Sequence, residues 1–133
     1  MTDIQVGTKI PSLSLPPISR TTLALYAGAS GDHNPIHIDT DFAKKAGMPD
    51  VFAHGMLSMA YLGRMLTDWQ PQSKLREFST KFAAITHVHD KITCSGKVLD
   101  VLEGDGETLA RCQIICQKES GEQTLIGEAL VAI

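Results

Sequence analysis

The sequence predicts an α+β domain, with helices in the first half of the chain and antiparallel strands in the second half. Apolar residues recur at helical spacing until Trp69, and the segment 56–69 is apolar around almost its whole circumference, which is typical of a buried helix. From Leu75 onward the apolar period changes to two, as in strands with one buried face. We therefore expect one long, curved antiparallel sheet around a central helix near residues 56–68.

The first half of the chain predicts an edge segment and two helices before the central one. Three prolines between residues 8 and 19 indicate an extended edge segment, where a missing N–H is tolerated. Ser19 is the expected N-cap of a helix that ends near Gly31. A short second helix should follow, capped by Asp39 or Thr40.

The second half predicts four strands. In the first of them, Phe78, Thr80 and Phe82 share one face of the period-two pattern. Hairpin turns between the three later strands are indicated by two stretches rich in Gly, Asp, Ser and Glu, at 103–107 and 119–123.

Composition favours one globular domain over residues 1–133, since 43% of the residues are hydrophobic and 20% are charged. A net charge of -3 argues against a nucleic-acid partner. No apolar run approaches the roughly 18 residues of a membrane span. The first ten residues also lack a signal-peptide pattern, so we expect a cytoplasmic protein.

We expect the three cysteines to be buried structural residues. They are Cys94, Cys112 and Cys116.

The segment 32–39 concentrates two Asp, two His, one Asn and one Pro, and three interpretations are open. A metal site would use His33 and His37, although Pro35 interrupts the helix that would align their side chains. The third ligand would be Asp32, Asp39 or His54. A solvated turn is the second interpretation, because Asp, Asn and Pro favour turns.

The third interpretation is an acid/base pair. Asp32 and His37 flank a turn that contains Asn34 and Pro35, so both side chains can point at one water molecule. Gly55 precedes the central helix, where a free N–H and the helix dipole can stabilise a carbonyl oxygen that gains negative charge. Such a set suits the addition or removal of water across a polarised double bond.

Two motifs carry a family resemblance. The stretch YAGASGDHNPIHIDTDFA, residues 26–43, closely resembles the hydratase motif of MaoC-like R-specific enoyl-CoA hydratases and 3-hydroxyacyl dehydratases. The stretch AHGML, residues 53–57, resembles the second hallmark of that family. In the strand half, AITHVHDKIT at 84–93 stands where such proteins often carry a Pro-Val…Pro-Gly-Asp turn. We expect His87 and His89 to lie on one face of an extended segment there.

The resemblance implies a hotdog fold and a homodimer whose sheets join edge to edge. It implies that Asp32 and His37 hold the reacting water, that the Gly55 N–H polarises the thioester carbonyl, and that Asn34 stabilises the loop. It implies no metal and no redox cofactor, with coenzyme A present only as part of the substrate.

The implied reaction is the reversible hydration of a trans-2-enoyl-CoA to an (R)-3-hydroxyacyl-CoA. One alternative keeps this chemistry but uses thioesters of acyl carrier protein. Another is a non-catalytic acyl-CoA binding subunit. A hotdog thioesterase is a further alternative, for which the residues give no separate support.

Overall fold

The computed structural model describes residues 3–133, and the first two residues of the predicted domain 1–133 lie outside the described residues. It contains three α-helices and five strands. The helices are α1 (Arg20–Ser30), α2 (Thr40–Lys45) and α3 (Gly55–Trp69). The strands are β1 (Lys9–Ser14), β2 (Leu75–Phe82), β3 (Ile92–Gly104), β4 (Glu107–Lys118) and β5 (Gln123–Ala132). The predicted α+β class is confirmed.

The five strands form one antiparallel sheet in the order β1-β3-β4-β5-β2. The proline-containing strand β1 lies at one edge, as predicted, and β2 lies at the other edge. The register shifts within the pairs β1–β3, β2–β5, β3–β4 and β4–β5. Such bulges bend a strand and increase its twist, so they allow the sheet to curve around α3.

The core lies between α3 and the concave face of the sheet. Leu62, Met65 and Leu66 of α3 are at most 2% exposed, and they pack on alternate residues of β3, β4 and β5. On β4 the buried residues are Ala110, Cys112, Ile114 and Cys116. All three cysteines are buried, as expected. This arrangement is the hotdog fold.

Helix α3 is less buried than its apolar sequence pattern predicted. Met56 is 54% exposed, and Ala60 is also exposed. The sheet packs against the face of the helix that carries Leu62, Met65 and Leu66, and it leaves Met56 and Ala60 exposed. Since Met56 also lines the cavity described below, its exposure places an apolar side chain at the site.

Helices α1 and α2 form a second, smaller core with the start of α3. Their caps match the sequence: Ser19 accepts a hydrogen bond from the Thr22 N–H, and Asp39 accepts bonds from the first turn of α2. Ile18, Leu23, Ala43, Val51, Ala53 and Leu57 pack together here. This cluster holds the loop between α1 and α2 against the N-terminus of α3.

No helix in the described part of the chain has the length and apolar character needed to cross a membrane.

Candidate active site

The loop after α1 is shaped by its own side chains. Gly31 ends α1 with φ at 78°, a left-handed conformation that glycine adopts without strain. The Asp32 carboxylate then accepts a hydrogen bond from the Asn34 N–H at 3.2 Å. The Asn34 side-chain oxygen accepts one from the Ile36 N–H at 3.1 Å, which caps a 3₁₀ turn over Pro35–His37. The turn chemistry predicted from Asp, Asn and Pro is therefore present.

The 3₁₀ turn directs His37 toward the segment before α3. Its Nδ1 lies 2.8 Å from the Phe52 carbonyl oxygen. Because a carbonyl can only accept, Nδ1 carries the proton and donates it, and the lone pair of the neutral ring is on Nε2. The ring of Phe52 also packs edge-on against His37, with centroids 5.1 Å apart. His37 is thus held in the tautomer that leaves Nε2 free to act as a base.

Asp32 and His37 face the same space. A carboxylate oxygen of Asp32 and a ring nitrogen each from His37 and His54 all lie within 4.8 Å of one another. Two hydrogen bonds of about 2.8 Å that meet at one water oxygen span about 4.6 Å between their outer atoms. This spacing is compatible with one water molecule between the Asp32 carboxylate and the His37 ring.

Gly55 is the first residue of α3, and its N–H is available to a ligand. Its N-cap, His54, provides no side-chain hydrogen bond to the helix. Within residues 3–133, no acceptor bonds the Gly55 N–H. The first N–H groups of a helix lack partners inside the helix, and the helix dipole adds partial positive charge there. This amide can therefore stabilise an oxygen that becomes negative.

Asp32, His37 and Gly55 line one cavity of about 550 Å³. Its remaining wall is largely apolar. It includes Phe52, Ala53, Met56, Phe82, Ile85 and Leu125. A pocket of this size with a few polar groups at one end is typical of a small-molecule site.

Phe82, at the end of β2, covers Gly55 closely. A Cβ built on Gly55 would lie 2.8 Å from Cδ1 and Cε1 of the Phe82 ring. A glycine is therefore required at position 55 as long as the ring keeps this position. The side chain of Phe82 is itself 57% exposed, so it forms the outer wall of the cavity.

His54 lies behind the pair and is only 2% exposed. Its Nε2 donates a hydrogen bond to the backbone carbonyl of Asp32 at 3.1 Å, and its ring stacks on His37. Burial lowers the pKa of His54 below its ordinary value, and the nearby His37 lowers it further. The hydrogen bond to Asp32 acts in the opposite direction but does not reverse the shift. His54 is therefore neutral at physiological pH.

The same three side chains are the one group among the described residues whose spacing suits a metal ion. His33 and Asp39, which the sequence offered as ligands, are not part of it. The rings of His37 and His54 are stacked, with planes 26° apart. Since the lone pairs of an imidazole lie in its ring plane, stacked rings are poorly directed at one ion about 2 Å from both.

The segment that departs from the family pattern contributes three residues to the cavity lining, Ala84, Ile85 and Thr86. Thr86 is 5% exposed and lines the cavity, and its carbonyl accepts a hydrogen bond from the Ala53 N–H. The sequence placed His87 and His89 on one face of an extended segment, and this was wrong. They belong to a turn closed by Asp90, whose carboxylate accepts from the His87 N–H, and His89 has φ at 76°.

Three features of the site escaped the sequence analysis. The Phe52 carbonyl that fixes the tautomer of His37 is a backbone atom, so no residue type indicates it. The contact between Phe82 and Gly55 joins residues far apart in the chain. His54 entered only as a third metal ligand, although its position directly before Gly55 could have indicated a place in the site.

Known proteins resemble this chain in sequence and in fold. Residues 4–115 match the model of the MaoC like domain. A mitochondrial 3-hydroxyacyl-acyl-carrier-protein dehydratase of Arabidopsis thaliana is 28% identical over 84% of this chain and 68% of its own length. The fatty acid synthase beta subunit TOXC of Cochliobolus carbonum is 31% identical over 80% of this chain, which corresponds to only 5% of that protein.

Solved structures extend the likeness to almost the whole chain. The R-hydratase PhaJ1 of Pseudomonas aeruginosa superimposes with a TM-score of 0.85, 26% identity, and coverage of 97% of this chain and 82% of that one. An (R)-hydratase of A. caviae involved in PHA biosynthesis gives a TM-score of 0.84, 25% identity and 98% coverage of both chains. By its family match and its fold, this chain belongs to the MaoC-like domain family.

Proposed function

We propose that this protein is a hydro-lyase that reversibly adds water to a trans-2-enoyl-CoA to give an (R)-3-hydroxyacyl-CoA. The observation that supports this most strongly is the convergence of three residues on the lining of one cavity: Asp32, His37 and Gly55. The Phe52 carbonyl binds His37 Nδ1 and leaves Nε2 as the base, and the Gly55 N–H has no acceptor among the described residues. We also propose that residues 1–133 form one MaoC-like domain.

The proposed mechanism assigns one task to each group. The Gly55 N–H donates a hydrogen bond to the thioester oxygen. Asp32 orients a water molecule whose oxygen bonds to C3 while His37 Nε2 takes one of its protons. The C2–C3 π electrons move toward C1, so that negative charge gathers on the thioester oxygen beside Gly55. A proton returned to C2 from the Asp32–His37 pair restores the thioester and completes the addition of one water molecule.

A second candidate, with acyl carrier protein in place of CoA, has specific support. The Arabidopsis relative is named as a dehydratase of acyl-carrier-protein thioesters, and other relatives are fungal fatty acid synthase beta subunits. The chemistry is the same in both candidates, because the reacting atoms are those of the acyl thioester. We place CoA first because the motif at 26–43 resembles R-specific enoyl-CoA hydratases.

Matched substrates distinguish the two carriers. We expect kcat/KM for enoyl-CoA thioesters to exceed that for the same acyl chains on acyl carrier protein, measured as loss of the conjugated enoyl absorbance. The opposite ratio at every chain length supports the carrier-protein dehydratase. Binding of acyl-CoA without turnover would instead support a binding subunit, and release of free thiol would support a thioesterase.

We also propose a homodimer in which the edge strands β2 of two copies pair. An edge strand presents unpaired N–H and C=O groups, and Phe82 at the end of β2 is exposed. Pairing there would bring a second chain to the mouth of the cavity. Sedimentation equilibrium is expected to give the mass of two chains, whereas a mass of one chain at micromolar concentration contradicts this proposal.

The cysteines fit a reducing compartment, and we propose the cytoplasm. Cys94 and Cys116 are directly opposite on β3 and β4, with their sulfur atoms 3.5 Å apart, and both are free thiols. Disulfides persist in oxidising compartments and are rare in the cytosol.

A further inference from the structure

His54 makes contacts that the proposed mechanism does not yet use. It is the residue before Gly55, and its ring lies between two other rings of the site. On one side it stacks on His37, with centroids 3.9 Å apart. On the other side Tyr26 packs edge-on against it at 4.8 Å. The plane of the His37 ring is therefore set by His54 on one face.

The polar atoms of His54 connect two elements of the site. Its Nε2–H donates to the backbone carbonyl of Asp32, which fixes the loop after α1 to the start of α3. In the described structure its Nδ1 is buried and has no hydrogen-bond partner. An unpartnered buried acceptor costs stability. For packing alone, an apolar ring would therefore serve better than a histidine at this position.

We propose that His54 is a positioning residue that holds Asp32, His37 and Gly55 in one arrangement. The inference rests on the proposed function, because it assigns those three residues to catalysis. The side chain of His54 contacts the backbone of Asp32 and the ring of His37, and His54 is itself the residue directly before Gly55. A displacement of about 1 Å in such an arrangement can lower the rate by about 10²-fold.

The neutral state of His54 suits this role. When His37 takes a proton from water it becomes an imidazolium, and a second positive ring stacked at 3.9 Å would oppose that step. The face of a neutral ring attracts a cation instead. Burial keeps His54 neutral by lowering its pKa, as described above. His54 thus positions His37 without competing with it for the proton.

Two substitutions separate the two contacts of His54. His54→Phe keeps a stacking ring and removes the donor, whereas His54→Gln keeps a donor near the position of Nε2 and removes the ring. We expect each variant to fold and to lower kcat by about 10²-fold with little change in KM. The matched control is His33→Gln, because His33 is exposed and lies outside the cavity lining. It should keep the wild-type kcat.

The decisive comparison repeats His54→Gln, which removes the ring stacked on His37, in a His37→Gln background. If His54 acts through His37, the substitution at position 54 should lower kcat only slightly further once His37→Gln is present. Near-wild-type kcat in both folded His54 variants overturns the proposal. It is also overturned if His54→Gln lowers kcat by the same factor in the wild-type and His37→Gln backgrounds. Failure of both variants to fold would also overturn it, because His54 would then be a structural residue.

A readout that needs no turnover separates this inference from the proposed function. The ring protons of His37 should shift in NMR spectra of His54→Gln, since a stacked ring is lost, and should stay in place in His33→Gln. If the folded wild type hydrates no enoyl thioester, the proposed function fails and these resonances still decide the positioning. Unchanged His37 resonances in His54→Gln overturn it.

Discussion

Replacing Asp32 by Asn, or His37 by Gln, is expected to lower kcat for enoyl-CoA hydration by about 10²–10⁴-fold, the usual contribution of a positioned acid or base. Asn cannot accept a proton from water, and Gln offers an amide where Nε2 carries the lone pair. The fold should survive both changes. In Asp32→Asn the side-chain amide oxygen can still accept the hydrogen bond from the Asn34 N–H, and His37 is only half-buried.

The measurement is the initial rate of loss of enoyl absorbance, together with circular dichroism of each variant. Asp39→Asn is the matched control for the carboxylate. Asp39 caps α2 through its side chain and lies outside the cavity lining, and Asn is an equally good N-cap. Near-wild-type turnover in both Asp32→Asn and His37→Gln would remove the acid/base pair from the mechanism.

Removal of the Gly55 N–H should have the second large effect. Proline at position 55 deletes this donor, and proline is well accepted at the first position of a helix. The preceding residue, His54, already has φ at -58° and ψ at 133°, which is the conformation favoured before a proline. The substitution therefore removes the donor from the site without opposing the local backbone.

The contact with Phe82 dictates the design of this experiment. Any Cβ at position 55 would meet the Phe82 ring at 2.8 Å, so a single substitution would change both the donor and the cavity wall. In a Phe82→Ala background the ring is absent. Gly55→Ala and Gly55→Pro then differ chiefly in the N–H that alanine keeps and proline lacks.

In that background we expect Gly55→Pro to lower kcat about 10²–10³-fold below Gly55→Ala, the effect of losing one oxyanion donor. Unfolding curves of the two variants show whether they are equally folded. Equal kcat values in two folded variants would show that the amide at position 55 does not stabilise the transition state.

Local chemistry explains how much of the fold the sequence predicted. The caps at Ser19 and Asp39 lie within three residues of the N–H groups they bond, so short-range preferences suffice. The strands followed from alternation, because one face of β4 packs on α3 and its other face does not. The reliance on short-range patterns also explains one wrong prediction. His87 and His89 were assigned to an extended segment, but Asp90 closes a turn there.

The candidate site was predictable only in part. Asp32, Asn34 and His37 lie within six residues, and their turn chemistry was visible in the sequence. What fixes their geometry comes from distant residues: the Phe52 carbonyl binds His37, and His54 binds the Asp32 carbonyl. Such contacts depend on how α3 packs on the loop after α1. No periodicity within a single segment indicates that packing.

The most direct test of the account is the product formed by the wild-type protein from a trans-2-enoyl-CoA, analysed for configuration at C3. The account predicts loss of the enoyl absorbance, formation of the (R)-3-hydroxyacyl-CoA, and near-complete loss of this product with Asp32→Asn. A folded wild-type protein that hydrates no enoyl thioester on either carrier, or that forms the (S) product, would contradict it.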